Sequence, residues 1–130
     1  MEQNLRYKEN IFEHKSMFKN YIIGITKDEK NKYIIITIAS KKEEIISQRQ
    51  FTFEDIETYD RKFFDSFKKN FLILYKFLIR LLKSNLIDVE IRNQNEDNMC
   101  IVLNCLKDNE YKFITIDIFS HIRDYKKTID

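Results

Sequence analysis

The chain has 130 residues, 43% hydrophobic and 34% charged, with 23 Lys+Arg against 21 Asp+Glu for a net charge of +2. That length suits one domain with one core, and the balanced charge lacks the basic signature of a dedicated nucleic-acid binder. Gly24 is the single glycine and proline is absent, which excludes the glycine-rich loops of P-loop and dinucleotide sites and leaves turns to Asn, Asp, Lys and Ser.

Met1 to Asn10 is polar and charged, without the apolar stretch of a secretory leader. Asn10 to Phe18 has room for a short edge strand or a turn. Tyr21-Ile-Ile-Gly-Ile-Thr26 is rich in β-branched residues and bounded by Lys27-Asp-Glu-Lys-Asn-Lys32, which reads as strand then turn. Tyr33-Ile-Ile-Ile-Thr-Ile38 is a second strand, apolar enough to predict burial on both faces or a helix lying across one. Glu44 to Phe51 is a weaker third strand.

Thr52-Phe-Glu-Asp55 has the form of a capping box, so a helix begins there. Phe63, Phe64, Phe67, Phe71, Leu74, Tyr75, Leu78 and Leu82 recur at helical spacing, predicting a long helix. Tyr59-Asp60 marks the break from a short first helix. The apolar run from Phe71 to Leu82 is interrupted by Lys76 and Arg80. It falls short of the roughly 20 apolar residues of a membrane span and reads as a buried core helix.

Lys83-Ser-Asn85 ends that helix, and Ile87-Asp-Val-Glu-Ile91 alternates as a half-exposed strand. Arg92 to Asn98 is a polar turn, followed by a strand from Met99 to Leu106. Lys107-Asp-Asn-Glu110 is a tight loop, and Tyr111 to Phe119 is the last strand. Ser120 to Asp130 carries Ile122, Tyr125 and Ile129 at three and four spacing, the start of an amphipathic helix. The expected organisation is a head over 1–119 and the start of a C-terminal helix or coiled-coil stalk over 120–130.

Little in this pattern points to chemistry. His14 and His121 are the only histidines and nothing places them together. Cys100 and Cys105 are five apart in a strand-rich segment, which sends them to opposite faces and argues against a bridge. Reduced cysteines suit an intracellular compartment. Two Cys and two His lack the paired spacing of a zinc site. Glu54, Asp55, Glu57 and Asp60 cluster at a helix start, where they complement the dipole. The pairs Lys41-Lys42, Lys68-Lys69 and Lys126-Lys127 read as solvated faces; a phosphate-contacting patch requires them to converge. No catalytic residue, metal or cofactor is expected, and no enzyme. Tyr111, just after the Lys107–Glu110 loop, is either the first core residue of its strand or an exposed anchor for a partner. Alternation ties it to Phe113: both point inward or neither does.

Tyr33-Ile-Ile-Ile-Thr-Ile38 through Phe51-Thr-Phe-Glu-Asp-Ile56, Asp65 to Leu82, and Asn109-Glu-Tyr-Lys-Phe-Ile-Thr-Ile116 together resemble a superfamily of globular heads. It contains the centriolar cartwheel protein (the SAS-six family) and the end-joining repair scaffold (the XRCC-four family). The resemblance spans roughly Phe18 to Phe119. The acidic loop of many cartwheel heads is replaced by Ala39 to Glu44, and the short stretch from Asn85 to Met99 fits the repair scaffold better. The resemblance implies an α+β fold: an antiparallel β-sandwich or barrel-like head with a helix-turn-helix inserted between N-terminal strands and a C-terminal β-meander. It implies a structural scaffold that self-associates in centriole or basal-body assembly, with the cytoplasm and centrosome as its place. By the match to the cartwheel family, Tyr111 inserts into a pocket on another head, and Lys107, Asp108, Asn109, Glu110, Tyr111 and Lys112 form the contact. The implied partners are copies of the chain and other scaffold proteins, with no membrane. Nuclear DNA end joining, with nucleic acid as a partner, is the alternative within this fold. An adaptor that binds a peptide beside the long helix is the alternative outside it.

Overall fold

The computed structural model describes residues 13–92, 98–107 and 109–118. In chain order these form β1 (His14–Phe18), β2 (Tyr21–Asp28), β3 (Tyr33–Ser40) and β4 (Ile45–Phe51), then α1 (Phe53–Glu57), α2 (Arg61–Phe64), a 3-10 turn (Asp65–Phe67) and α3 (Phe71–Lys83). β5 (Ile87–Ile91), β6 (Met99–Lys107) and β7 (Glu110–Asp117) follow. The strands make two antiparallel meanders, β1-β2-β3-β4 and β5-β6-β7, with the helices between them in sequence. This is an α+β fold dominated by strands.

One apolar cluster joins both sheets and the helices. Ile23, Ile25, Ile36 and Ile38 enter it from the first sheet, Ile101, Leu103, Ile114 and Ile116 from the second. Leu74, Leu78 and Leu82 enter from one face of α3, four residues apart as a buried helical stripe requires. β3 is buried on both faces, as its sequence predicts: Thr37 and Ala39 are as inaccessible as Ile36 and Ile38. On that second face the Gln48 amide donates to Thr37 Oγ1 at 2.8 Å, satisfying two buried polar groups together.

The capping box at α1 is present in full. The Thr52 hydroxyl accepts from the Asp55 N–H at 3.1 Å, and the Asp55 carboxylate accepts from the Thr52 N–H at 2.9 Å. The break at Tyr59-Asp60 is also present, with Asp60 capping α2 by accepting from the Phe63 N–H at 3.0 Å.

The aromatic stripe from Phe63 to Leu82 is not one helix, which corrects the expectation from its spacing. Lys68 and Lys69 turn left-handed, at φ 52° and 56°, and Asn70 restarts the chain as the cap of α3. The physical reason is aromatic packing. Phe63 and Phe77 have ring centroids 5.8 Å apart, and Phe67 and Phe77 5.1 Å. In a continuous helix Phe63 and Phe77 would be separated by about 21 Å along the axis. The bend folds α2 and the 3-10 turn back onto α3.

α3 ends in the left-handed Asn85, with the Leu86 N–H donating back to the Leu81 carbonyl at 2.9 Å. Seven described residues have positive φ and none is glycine; Lys and Asn fill most of these turns, as the composition demands. Asp28 illustrates the substitute: its carboxylate accepts from both the side chain and backbone of Asn31, at 2.8 and 3.2 Å. Those bonds hold the Asp28 carboxyl below its ordinary range. No described helix is long and apolar enough to cross a membrane.

Candidate functional site

The closing hairpin carries the feature that the core does not explain. Lys107 lies opposite Glu110, so Asp108-Asn109 is the whole connection and the loop is tighter than its four polar residues suggest. Asn109 takes φ 66°, which asparagine tolerates better than most residues. The side chain of Lys107, and Asp108 altogether, lie outside the described residues.

The pairing continues through Leu106↔Tyr111, Asn104↔Phe113 and Val102↔Thr115 without a slip. Alternation sends Ile101, Leu103 and Cys105 of β6, with Ile114 and Ile116 of β7, into the core. The opposite face takes Leu106, Tyr111 and Phe113. They are 63%, 71% and 64% exposed, so Tyr111 is a surface residue and Phe113 joins it. Leu86 extends the strip: its carbonyl accepts from the backbone and side-chain N–H groups of Asn104, at 2.9 and 3.0 Å, and its own side chain is exposed. Four of the seven exposed large apolar side chains among the described residues therefore lie on this one face. Single exposed apolar residues are ordinary, but a contiguous patch marks an interaction surface.

The patch sits on an anchored base. Lys112 Nζ lies 2.6 Å from Asp60 Oδ2, tying the hairpin to the cap of α2. At the far end of β7, Arg49 Nη1 donates to the Asp117 carbonyl at 2.9 Å and to Tyr59 Oη at 2.8 Å. Farther along the same face the character changes to Asp88, Glu90 and an Arg92–Asp117 pair at 3.3 Å.

The other sequence candidates have structural employment. Asp55 and Asp60 cap helices, and Glu57 pairs with Lys69 at 2.9 Å. His14 packs edge-on to Tyr75 at 6.2 Å. The Tyr75 hydroxyl donates to Glu13 Oε2 at 3.2 Å, where Thr26 also donates at 3.0 Å. Burial first, and the Glu13 charge second, raise the Tyr75 pKa above its ordinary value. Cys100 and Cys105 are free thiols, buried on opposite faces of β6. Burial pushes both up, Cys105 to about 11. Among the described residues no three His, Cys, Asp or Glu side chains are grouped to hold a metal. The lysine pairs occupy separate bends, Lys41-Lys42 between β3 and β4 and Lys68-Lys69 ahead of α3. His121, Lys126-Lys127 and the expected C-terminal helix lie outside the described residues, as does the turn at 93–97.

Sequence reasoning singled out Tyr111 and tied Phe113 to its orientation without fixing it, and missed Leu86 and Leu106. A signal was there in β7. Its even positions, after Glu110 and Lys112, are Ile114 and Ile116, with Ile118 just beyond the strand; its odd positions end in Thr115 and Asp117. The odd set, Tyr111 and Phe113 included, is the one that faces water. No protein-family model, curated protein or solved structure matches the chain.

Proposed function

We propose that this chain is a non-enzymatic scaffold module that associates with copies of itself through the outer face of the β6–β7 hairpin. The observation that carries this reading is Leu106, Tyr111 and Phe113 on the solvent-facing side of a hairpin pinned at both ends, with Leu86 on the same face across Asn104. Burying one large side chain of this kind contributes about 1.5–3 kcal/mol. A few such anchors suffice for a weak, concentration-dependent contact.

The scaffold reading extends to the fold. β1 contacts β5, and the Arg49 side chain reaches from β4 to the last residue of β7, so the two sheets are linked near their edges. That supports a barrel-like head. Membership of the cartwheel and end-joining superfamily rests on the sequence resemblance at Tyr33–Ile56, Asp65–Leu82 and Asn109–Ile116. Within it, centriole or basal-body assembly is the leading process, with Tyr111 as the anchoring aromatic. DNA end joining is the alternative process on the same fold. The peptide-adaptor reading draws on a different observation, the exposed Leu72 and Ile73 in the first turn of α3.

Sedimentation velocity over a concentration series tests the proposal. Wild type is expected to shift from monomer to dimer, and Tyr111→Glu to remain monomeric. A wild type that stays monomeric at high concentration, or a variant that associates equally well, contradicts it. Salt-sensitive DNA binding would favour the end-joining process over centriole assembly.

A further inference from the structure

We infer that self-association joins β7 of one copy to β7 of a second, antiparallel and edge to edge, so that one sheet runs through both. The inference rests on the self-association reading and specifies its geometry.

The register decides which backbone groups are available. A two-residue link makes Lys107 and Glu110 a hydrogen-bonded pair, and hydrogen-bonded pairs then alternate along an antiparallel ladder. Lys112, Ile114 and Ile116 therefore bond into β6. Tyr111, Phe113, Thr115 and Asp117 direct their N–H and C=O groups away from it. Two observed bonds fix this parity. The Ile118 N–H donates to Met99 O at 3.0 Å, inside the sheet, and the Asp117 carbonyl receives Arg49 from outside it. β7 ends its sheet, and among the described residues no strand pairs with its far side. Tyr111, Phe113 and Thr115 thus present a row of donors and acceptors, a template for another strand.

The remaining edge strands carry the protection expected of them. β1 and β5 are five residues each, the first with Lys15 and the second with Asp88 and Glu90. β4 has Gln48, Arg49 and Gln50, and its pairing to β3 slips at Ile38/Ala39. β7 is eight residues long with an unbroken register. Its one lysine, Lys112, is drawn to Asp60, on the core-facing parity.

The occupant is a second copy because β7 is complementary to itself. A two-fold axis at Phe113 sets Phe113 opposite Phe113 of the second copy and Tyr111 opposite Thr115. Aromatic–aromatic and aromatic–β-branched pairs are favourable across strands. On the other face Lys112 meets Ile114, and no like charges stand opposite one another. The contact is isologous and closes at two copies.

Two measurements test it. Thr115→Pro removes an outward N–H and keeps the apolar strip, a position where edge strands tolerate proline. It is expected to shift the protein to monomer at concentrations where wild type dimerises, with an unchanged circular dichroism spectrum. Amide exchange read by NMR on wild type needs no variant to fold. Tyr111, Phe113 and Thr115 are expected to exchange an order of magnitude more slowly in the concentrated than in the dilute sample. If wild type dimerises while those amides exchange equally fast at both concentrations, edge pairing is overturned and association through the face alone stands. If wild type stays monomeric, both fall, and a strand from a different protein becomes the occupant to seek.

Discussion

Asp60 serves two parts of the molecule at once. It caps α2 through the Phe63 N–H and holds Lys112 at the hairpin. Asp60→Ala removes a cap worth about 1 kcal/mol and a partly exposed ion pair worth at most about as much. Urea unfolding is expected to show a loss of about 1–2 kcal/mol with an unchanged slope. Cys105 feels the charge of the same carboxylate. Burial, then the Asp60 charge, push its thiol up to about 11 from 9.0, against the opposing pull of Lys112. The folded state keeps a proton that the unfolded chain releases, so stability is whole below pH 9 and falls as pH rises through 9 to about 11. Cys105→Val is expected to lessen that alkaline slope in pH-dependent unfolding, with Cys100 and Tyr75 keeping part of it. An unaltered slope would count against the assignment. Residue roles set by near neighbours were legible in the sequence: Thr52 and Asp55 announce their own cap. The Lys112–Asp60 pair was not, because only the tertiary fold brings β7 to the start of α2.

α3 is the element on which both sheets close. Leu78 is fully buried among residues of both, and Leu78→Ala is expected to cost about 2–5 kcal/mol in thermal or denaturant unfolding. A loss under about 1 kcal/mol would mean that the site collapses around the cavity or was never close-packed. Strands β2 to β7 were readable, because Ile, Val, Tyr and Phe cluster between polar turns; β1, His-Lys-Ser-Met-Phe, reads as either an edge strand or a turn. The helical bend was harder. The spacing from Phe63 to Leu82 suits one long helix, and periodicity alone cannot register Lys68 and Lys69 leaving the helical region. Asn70 carried a local hint, since asparagine is a strong N-cap and here accepts from the Ile73 N–H at 3.1 Å. What overrode the period was the gain from gathering Phe63, Phe64, Phe67 and Phe77 into one cluster.

At the scale of the whole molecule, two meanders share one core, and four of the seven large apolar side chains left exposed among the described residues lie on one sheet face. The sequence marked the hairpin as the place to look, through Tyr111. It marked neither the breadth of the face nor the open edge beside it, since both depend on which strands are neighbours. Those same neighbours make the account testable without a variant. Backbone amide chemical shifts of the wild-type protein, followed over a dilution series, report where copies touch. The account predicts concentration-dependent shifts at Asn104, Leu106, Tyr111, Phe113 and Thr115 that revert on dilution. A spectrum independent of concentration, or changes confined to Leu72 and Ile73 on α3, would contradict it.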